Sequence, residues 1–292
     1  MTLTEQKVQE VISELKEWFN KPNAEDFYFK EPSNQIETIL TESKMQKAVM
    51  VDLKTLSNWY GNKFIYRALA ENDLSTEPVF FSSSYYVSVI ANIFALGYPG
   101  NPPKLLFTDL AMFLSNCLQA KWYDRSHEII DIINQGLSTK FLKGGLKYSK
   151  AAWFIVEIAN KAFNITADYT SYNYPATLGV YQQALDKWNT TDLQELDIIV
   201  SEMCEYHLSQ ADFNEETPLE FSFVKEFVFT YEILAWLSVR EKMGIKNPES
   251  LTHALMQLPV NKLPVQAIPF NSIKLFDNVL KKLKEEFPGE TH

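Results

Sequence analysis

The spacing of apolar residues is the feature that most limits what this 292-residue chain can fold into. Apolar side chains recur roughly every three to four residues along most of its length, which is the period of an amphipathic α-helix. Only 9 glycines are present, and the 13 prolines cluster between the periodic segments, where proline ends or begins helices. The pattern predicts an all-α protein of about ten helices, packed as successive helical hairpins and compatible with a solenoid-like array.

The periodicity also predicts where individual helices lie. A long helix is expected over residues 43–71, with Gly61 as a candidate kink. A helical hairpin is expected from Asp109 to Gly136, with its connection around Trp122. A very apolar helix is expected from about Glu220 to Met243.

The interior stretch most like a linker is Leu137 to Lys147, which contains the pair Gly144 and Gly145. The sequence therefore predicts an N-terminal helical half, residues 1–140, and a C-terminal helical half, residues 147–292. Hydrophobic residues make up 46% of the chain, enough to fill a sizeable core. We expect the two halves to pack as one continuous unit.

Composition excludes several classes of partner and location. Residues 1–20 predict a helix of mixed charge rather than the cationic start and apolar run of a secretory signal. No window approaches the roughly 18 uninterrupted apolar residues of a membrane span. Cys117 and Cys204 both fall on apolar helix faces, where we expect buried free thiols. Free thiols are typical of a reducing compartment. Together these features predict a cytoplasmic protein. Because its net charge is −10, the chain is expected to bind neither nucleic acid nor an anionic membrane.

Almost all of that net charge comes from one segment, Trp188 to Val224. This acidic segment contains no lysine or arginine, whereas the rest of the chain is close to neutral. Its nine carboxylates are Asp192, Glu195, Asp197, Glu202, Glu205, Asp212, Glu215, Glu216 and Glu220. A field concentrated in this way steers a cationic partner rather than specifying a fold.

Helical geometry predicts which of these carboxylates share a surface. On a helix over residues 191–210, an apolar stripe faces one way and four acids face the other. The predicted partner-binding residues are these four and three acids of the following loop, namely Asp192, Glu195, Glu202, Glu205, Asp212, Glu215 and Glu216. The competing interpretation is a solvated helix face, although such faces usually mix both signs of charge.

Motifs for catalysis or metal binding are not found in the sequence. Cys204 and His207 lie near Glu205 on one helix, but the spacing differs from the Glu-x-x-His pattern of di-iron helices. His127 follows Asp124 and reads as a polar residue of a helix's first turn. A phosphate-binding glycine loop, a nucleophile elbow and a metalloprotease motif are all missing. We therefore predict a protein that is not an enzyme, with no catalytic residues, metal or cofactor.

The last quarter of the chain carries a resemblance to a known family. Residues 227–244, the pair Asn247 and Pro248, residues 253–259 and a closing amphipathic helix resemble the C-terminal region of helical immunity proteins of bacterial polymorphic-toxin and type VI secretion systems. The hairpin of residues 109–136 is similar to their middle part. The chain departs from the immunity proteins of PoNe nucleases in spacing and in the region after Met243, which leaves the toxin class open.

This resemblance implies a cytoplasmic, non-enzymatic protein that binds a cognate toxin and blocks its active site or substrate access. The charge agrees with it, because nuclease toxins are often basic and an acidic inhibitor associates with them quickly. Two alternatives are a helical scaffold or adaptor that binds a peptide, and an enzyme with a helical fold whose deep pocket contains titrating carboxylates or His127.

Overall fold

Eleven α-helices dominate the part of the chain that the structure describes, and they confirm the predicted all-α fold of about ten helices. The structure is a computed structural model that describes residues 1–97, 105–139, 142–143, 149–213 and 219–288. In chain order the helices are α1 (Leu3–Asn20), α2 (Glu31–Thr41), α3 (Val49–Glu71), α4 (Glu77–Gly97), α5 (Phe107–Gln119), α6 (Tyr123–Thr139), α7 (Lys150–Phe163), α8 (Val180–Asp186), α9 (Leu193–Ser209), α10 (Tyr231–Lys242) and α11 (Lys274–Glu286). Two short strands, β1 (Leu105–Leu106) and β2 (Leu142–Lys143), pair in parallel.

Local signals fix several helix ends. Thr2 and Glu5 form a capping box at the start of α1, in which each side chain accepts the other residue's backbone N–H. Asn72 and Asn164 end α3 and α7 in the left-handed conformation, which asparagine tolerates better than most residues. A π-helical turn, Asp26–Lys30, leads directly into α2.

Helix α3 runs unbroken through Gly61, so this glycine does not interrupt the helix. A Cβ atom at Gly61 would lie only 2.8 Å from the ring of Phe80 on α4. Glycine therefore serves here to let α3 and α4 approach each other closely, which the sequence alone could not distinguish from a bend.

Helix α10 lies at the centre of the fold and packs on α5 and α7. Every residue from Tyr231 to Arg240 is buried. The Arg240 guanidinium and the Trp236 indole both donate hydrogen bonds to the carbonyl of Trp188, the first residue of the acidic segment. The central helix thus fixes the point from which the acidic segment departs.

The predicted helix from Glu220 to Met243 is wrong in its first half, because the helix begins only at Tyr231. The Asn261 side-chain amide donates to the carbonyl of Val228 and accepts from the N–H of Thr230. These bonds satisfy backbone groups that would otherwise have to pair within a helix. The apolar composition of this stretch reflects burial rather than helicity.

Helix α4 corrects the expectation that no segment approaches the length and apolarity of a membrane span. By length and composition alone, its 21 residues could cross a membrane. In the structure, 72% of its most apolar window is buried against other helices, as in the core helix of a packed bundle. The hydroxyls of Ser83, Ser84 and Ser88 donate to carbonyls within the same helix.

Contacts between the two predicted halves are direct. Helix α5 of the first half packs on α7 and α10 of the second. Most of the stretch at which the halves were divided, including Gly144 and Gly145, lies outside the described residues. The division itself stays a prediction.

Candidate functional site

Helix α9 carries the first part of the acidic segment and presents it on the surface. Leu196, Val200 and Met203 are fully buried, and α9 packs on α8 with a smaller contact to α1. Asp192 is the N-cap, and its carboxylate accepts the backbone N–H groups of Gln194 and Glu195. It therefore starts the helix as well as adding charge to the surface.

Side chains from outside the segment reach three of the predicted site residues. Glu195 pairs with Lys187 at 3.0 Å, Glu205 with the His253 imidazole at 3.1 Å, and Asp212 with Lys7 at 3.9 Å. The hydroxyl of Thr190 and then the ammonium of Lys187 lower the pKa of Glu195. This corrects the expectation of an acidic surface without interleaved cations, since the cations are supplied from outside the segment.

The remaining predicted residues differ in what the structure says of them. Glu202 is exposed on α9, and among the described residues its carboxylate has no ion pair or hydrogen bond. Glu215 and Glu216 lie outside the described residues. Asp197 has a structural role, because its two carboxylate oxygens accept hydrogen bonds from the backbone N–H and the hydroxyl of Thr252.

Exposed apolar side chains lie along the same acidic segment, a feature that charge counting missed. Ile198 on α9 is 59% exposed, Phe213 71% and Phe223 53%. Buried aromatic anchors within a charged rim are what protein interfaces use for affinity. The segment therefore combines carboxylates that can attract a cationic partner with apolar surface that can be buried on binding.

Phe223 also lines a groove between α1, α3 and the π-helical turn, with a volume of about 660 Å³. We call it the α1 groove. Its lining residues are Glu14, Leu15, Glu17, Trp18, Lys21, Tyr28, Asn58, Asn62, Phe223, Val224 and Lys225. Helix α1 also carries Lys7, the partner of Asp212, two turns before Glu14, so the groove and the acidic segment adjoin along one helix.

A buried polar cluster holds α9 against the centre of the fold. His207 Nδ1 lies 2.9 Å from the Glu232 carboxylate, and Nε2 lies 2.9 Å from the carbonyl of Glu226. A carbonyl can only accept, so Nε2 is the donor in the contact with Glu226. The imidazole also stacks on Phe221, with ring centroids 3.9 Å apart.

Nothing in this cluster assembles a metal site. Among the described residues, no group of three or more histidine, cysteine, aspartate or glutamate side chains converges as metal ligands would. Cys204 is buried, and desolvation raises the pKa of its thiol, which disfavours the thiolate needed for metal binding or nucleophilic attack.

A second cavity, of about 680 Å³, contains His127, the residue considered for catalysis. The imidazole Nδ1 lies 3.2 Å from the carboxylate of Asp131, with Asp124 and Glu128 on the same wall. The imidazole is 49% exposed, and the lining residues include no hydroxyl or thiol. The cavity thus offers a solvated acid–base pair without a hydroxyl or thiol nucleophile beside it.

Comparison with protein-family models, with curated proteins and with solved structures finds no match to this chain.

Proposed function

We propose that this chain is a cytoplasmic, non-enzymatic immunity protein that binds a cationic toxin domain and blocks its active site or access to its substrate. The resemblance of residues 227–259 and of the α5–α6 hairpin to helical immunity proteins supplies the class of partner. The negative charge of the acidic segment indicates that the partner's surface is positively charged. A nuclease domain fits, because proteins that bind nucleic acid are basic.

The observation that carries this proposal is the exposed mixture of acidic and apolar side chains on one segment. Glu202 stands free on α9, and Ile198, Phe213 and Phe223 expose apolar area nearby in sequence. Opposite charge across an interface raises the association rate, whereas desolvated apolar anchors slow dissociation. A surface kept only for solubility has no use for exposed phenylalanines.

The partnered carboxylates still contribute to this surface. Glu205 and Asp212 remain largely exposed, with 68% and 64% of their side chains open to solvent. The Asp212–Lys7 contact is long at 3.9 Å, and an ion pair of this kind with an exposed carboxylate contributes little to stability. A toxin lysine or arginine can therefore compete for the same oxygens.

The experiment reverses charge on this surface and measures protection. Glu202→Lys, Glu205→Lys and Asp212→Lys are combined in one variant, which is co-expressed with a basic toxin domain against which the wild-type chain protects. We expect loss of growth protection and an association rate about 10-fold lower in dilute salt. We also expect a weaker dependence of that rate on salt.

A matched control changes the net charge equally on other surfaces. Glu37, Glu249 and Glu285 are exposed and have no ion pair or side-chain hydrogen bond within the described part of the chain, so Glu37→Lys, Glu249→Lys and Glu285→Lys are combined. Equal rates for the two triple variants would show that only total charge matters and would overturn the assigned surface. Capture of a short peptide instead of a folded domain would favour the adaptor.

A further inference from the structure

The α1 groove brings aromatic faces and carboxylates together on one side of α1. Trp18 contacts Tyr28 of the π-helical turn with ring centroids 4.7 Å apart, and Phe223 completes the aromatic lining. Glu14 and Glu17 line the same groove. One helical turn separates them, so their side chains project in the same direction.

These two carboxylates differ from the others of α1. Glu5 belongs to the capping box and Glu10 pairs with Lys7 at 2.9 Å. Within the described residues, the side chains of Glu14 and Glu17 have neither an ion pair nor a hydrogen bond, although both are exposed beside the groove. The free acids of this helix are thus those that line the groove.

The end of α1 adds negative potential at the same place. The last turn of this 18-residue helix contains no basic residue. The negative end of its dipole therefore lies just beyond Trp18, beside Lys21 at the C-cap, and favours a cation there.

Two lysines also line the groove and limit where a cation can sit. Lys225 is buried on the floor, where its ammonium donates to the Asn58 side chain at 2.5 Å and lies 5.6 Å from the centre of the Phe223 ring. Lys21 is exposed just after the end of α1. The position left for a further cation is accordingly the α1 wall, where Glu14 and Glu17 lie beside the partly exposed rings of Trp18 and Tyr28.

We propose that the α1 groove binds an arginine side chain of the cationic partner. A guanidinium is planar, weakly hydrated and able to stack on aromatic rings while donating to carboxylates, whereas an ammonium is compact and strongly hydrated. Glu14 and Glu17 accept the hydrogen bonds, and Trp18 and Tyr28 provide the stacking surface. The identity of the partner rests on the proposed function, whereas the recognition of arginine rests on the groove.

The test uses two short blocked peptides, one with a single arginine and one with citrulline in its place. Citrulline keeps the shape of the side chain but carries no charge. Binding is followed by the NMR signal of the Trp18 indole N–H, assigned with Trp18→Phe. We expect the arginine peptide to shift this signal with an affinity at least about 5-fold above that of the citrulline peptide.

Glu14→Gln combined with Glu17→Gln should abolish this preference, with an unchanged far-UV circular dichroism spectrum. The matched variant, Glu37→Gln with Glu285→Gln, removes the same charge elsewhere and should keep the preference. Equal shifts by the two peptides, no shift at all, or a preference that survives in the groove variant would overturn the proposal. The peptides need no toxin, so failure here leaves the charge-reversal test of the proposed function intact, and the reverse also holds.

Discussion

At the scale of single residues, the most informative side chain is Glu226, whose carboxyl lies buried beside Lys225. Burial raises the pKa of this carboxyl to about 7, although the nearby Lys225 ammonium opposes the shift. The backbone of Glu226 cannot move away, since its carbonyl binds His207. An acid in such a place is neutral in mildly acidic solution and costs stability once it ionises.

This shift has a definite sign in a pH titration. An unfolded glutamate titrates near pH 4.3, so between about pH 4.5 and 7 the folded chain holds a proton that the unfolded chain has released. Stability therefore falls as pH rises through this window. Glu226→Gln should flatten the profile and raise the free energy of unfolding at pH 8 by up to about 3 kcal/mol, as measured by urea unfolding.

Two other acids titrate in the same pH window. They contribute the same pH dependence of the unfolding free energy in wild type and in Glu226→Gln. Burial raises the pKa of Glu77 to about 7 and that of Asp52 to about 6. Subtracting the unfolding free energy of wild type from that of Glu226→Gln at each pH therefore cancels the contribution of these two acids. Glu37→Gln, at an exposed position, serves as the control. Parallel profiles for wild type and Glu226→Gln would show that this carboxyl ionises normally.

At the scale of helices, the sequence predicted what local signals determine and missed what distant residues determine. Helix α9 was expected over residues 191–210 and spans Leu193–Ser209, because Asp192 and the apolar stripe are both local. Residues 220–230 were expected to be helical but take their conformation from Asn261, about thirty residues further on. Apolar composition cannot reveal such a partner.

Gly61 provides a prediction about the packing of α3 on α4. Gly61→Ala gains helix propensity worth about 1 kcal/mol but places a methyl group 2.8 Å from the Phe80 ring. That ring is enclosed by Phe64 and Phe81 and has little room to move. We expect a net loss of about 1–2 kcal/mol in thermal or urea unfolding. Lys63→Ala, at an exposed position of the same helix, should change stability by less than about 0.5 kcal/mol.

If the methyl group were accommodated, Gly61→Ala would stabilise the protein instead, and close approach would not explain this glycine.

Glu202 gives a prediction that separates a solvated face from a binding face. It lies near the middle of α9, more than one turn from either end, with Glu205 three residues further along the helix. Glu202→Lys should leave the free energy of unfolding unchanged or raise it by about 0.3–0.5 kcal/mol, because a lysine there can pair with Glu205, while it weakens association with the partner. Asp192→Lys at the N-cap should lower stability, since it removes the helix cap. A destabilised Glu202→Lys would mean that this acid serves the fold.

At the scale of the whole molecule, charges that are far apart in sequence meet on the surface. The sequence predicted an acidic segment but not that Lys7, Lys187 and His253 reach it, because two of these three lie far from it in the chain. The α1 groove was invisible for the same reason, since residues from four separate segments line it. The residues of the candidate site therefore stay a prediction from the sequence, and the structure adds the side chains from distant segments that lie beside them.

Helix α11 shows how the last part of the chain closes on the first. The Lys282 ammonium donates to the carbonyls of Ile39, Leu40 and Glu42, at and just beyond the end of α2. The Glu286 carboxylate accepts the N–H of Met45 at 2.7 Å. Carbonyls at a helix end have no partners within the helix and favour a cation. Contacts across about 240 residues of sequence thus complete the end of α2.

The contact between α11 and the end of α2 can be tested with variants of Lys282 and of its neighbour Lys281, which have equal net charge. Lys282→Met removes the ammonium that binds three carbonyls, whereas Lys281→Met removes an exposed ammonium from the same helix. We expect Lys282→Met to lower the free energy of unfolding by about 1–2 kcal/mol and Lys281→Met to change it by less than about 0.5 kcal/mol. Hydrogen exchange at residues 39–45 should accelerate only in Lys282→Met, because the stabilising bonds are local to that end of α2. Equal losses in the two variants would indicate a general effect of charge, and α2 would then end without help from α11.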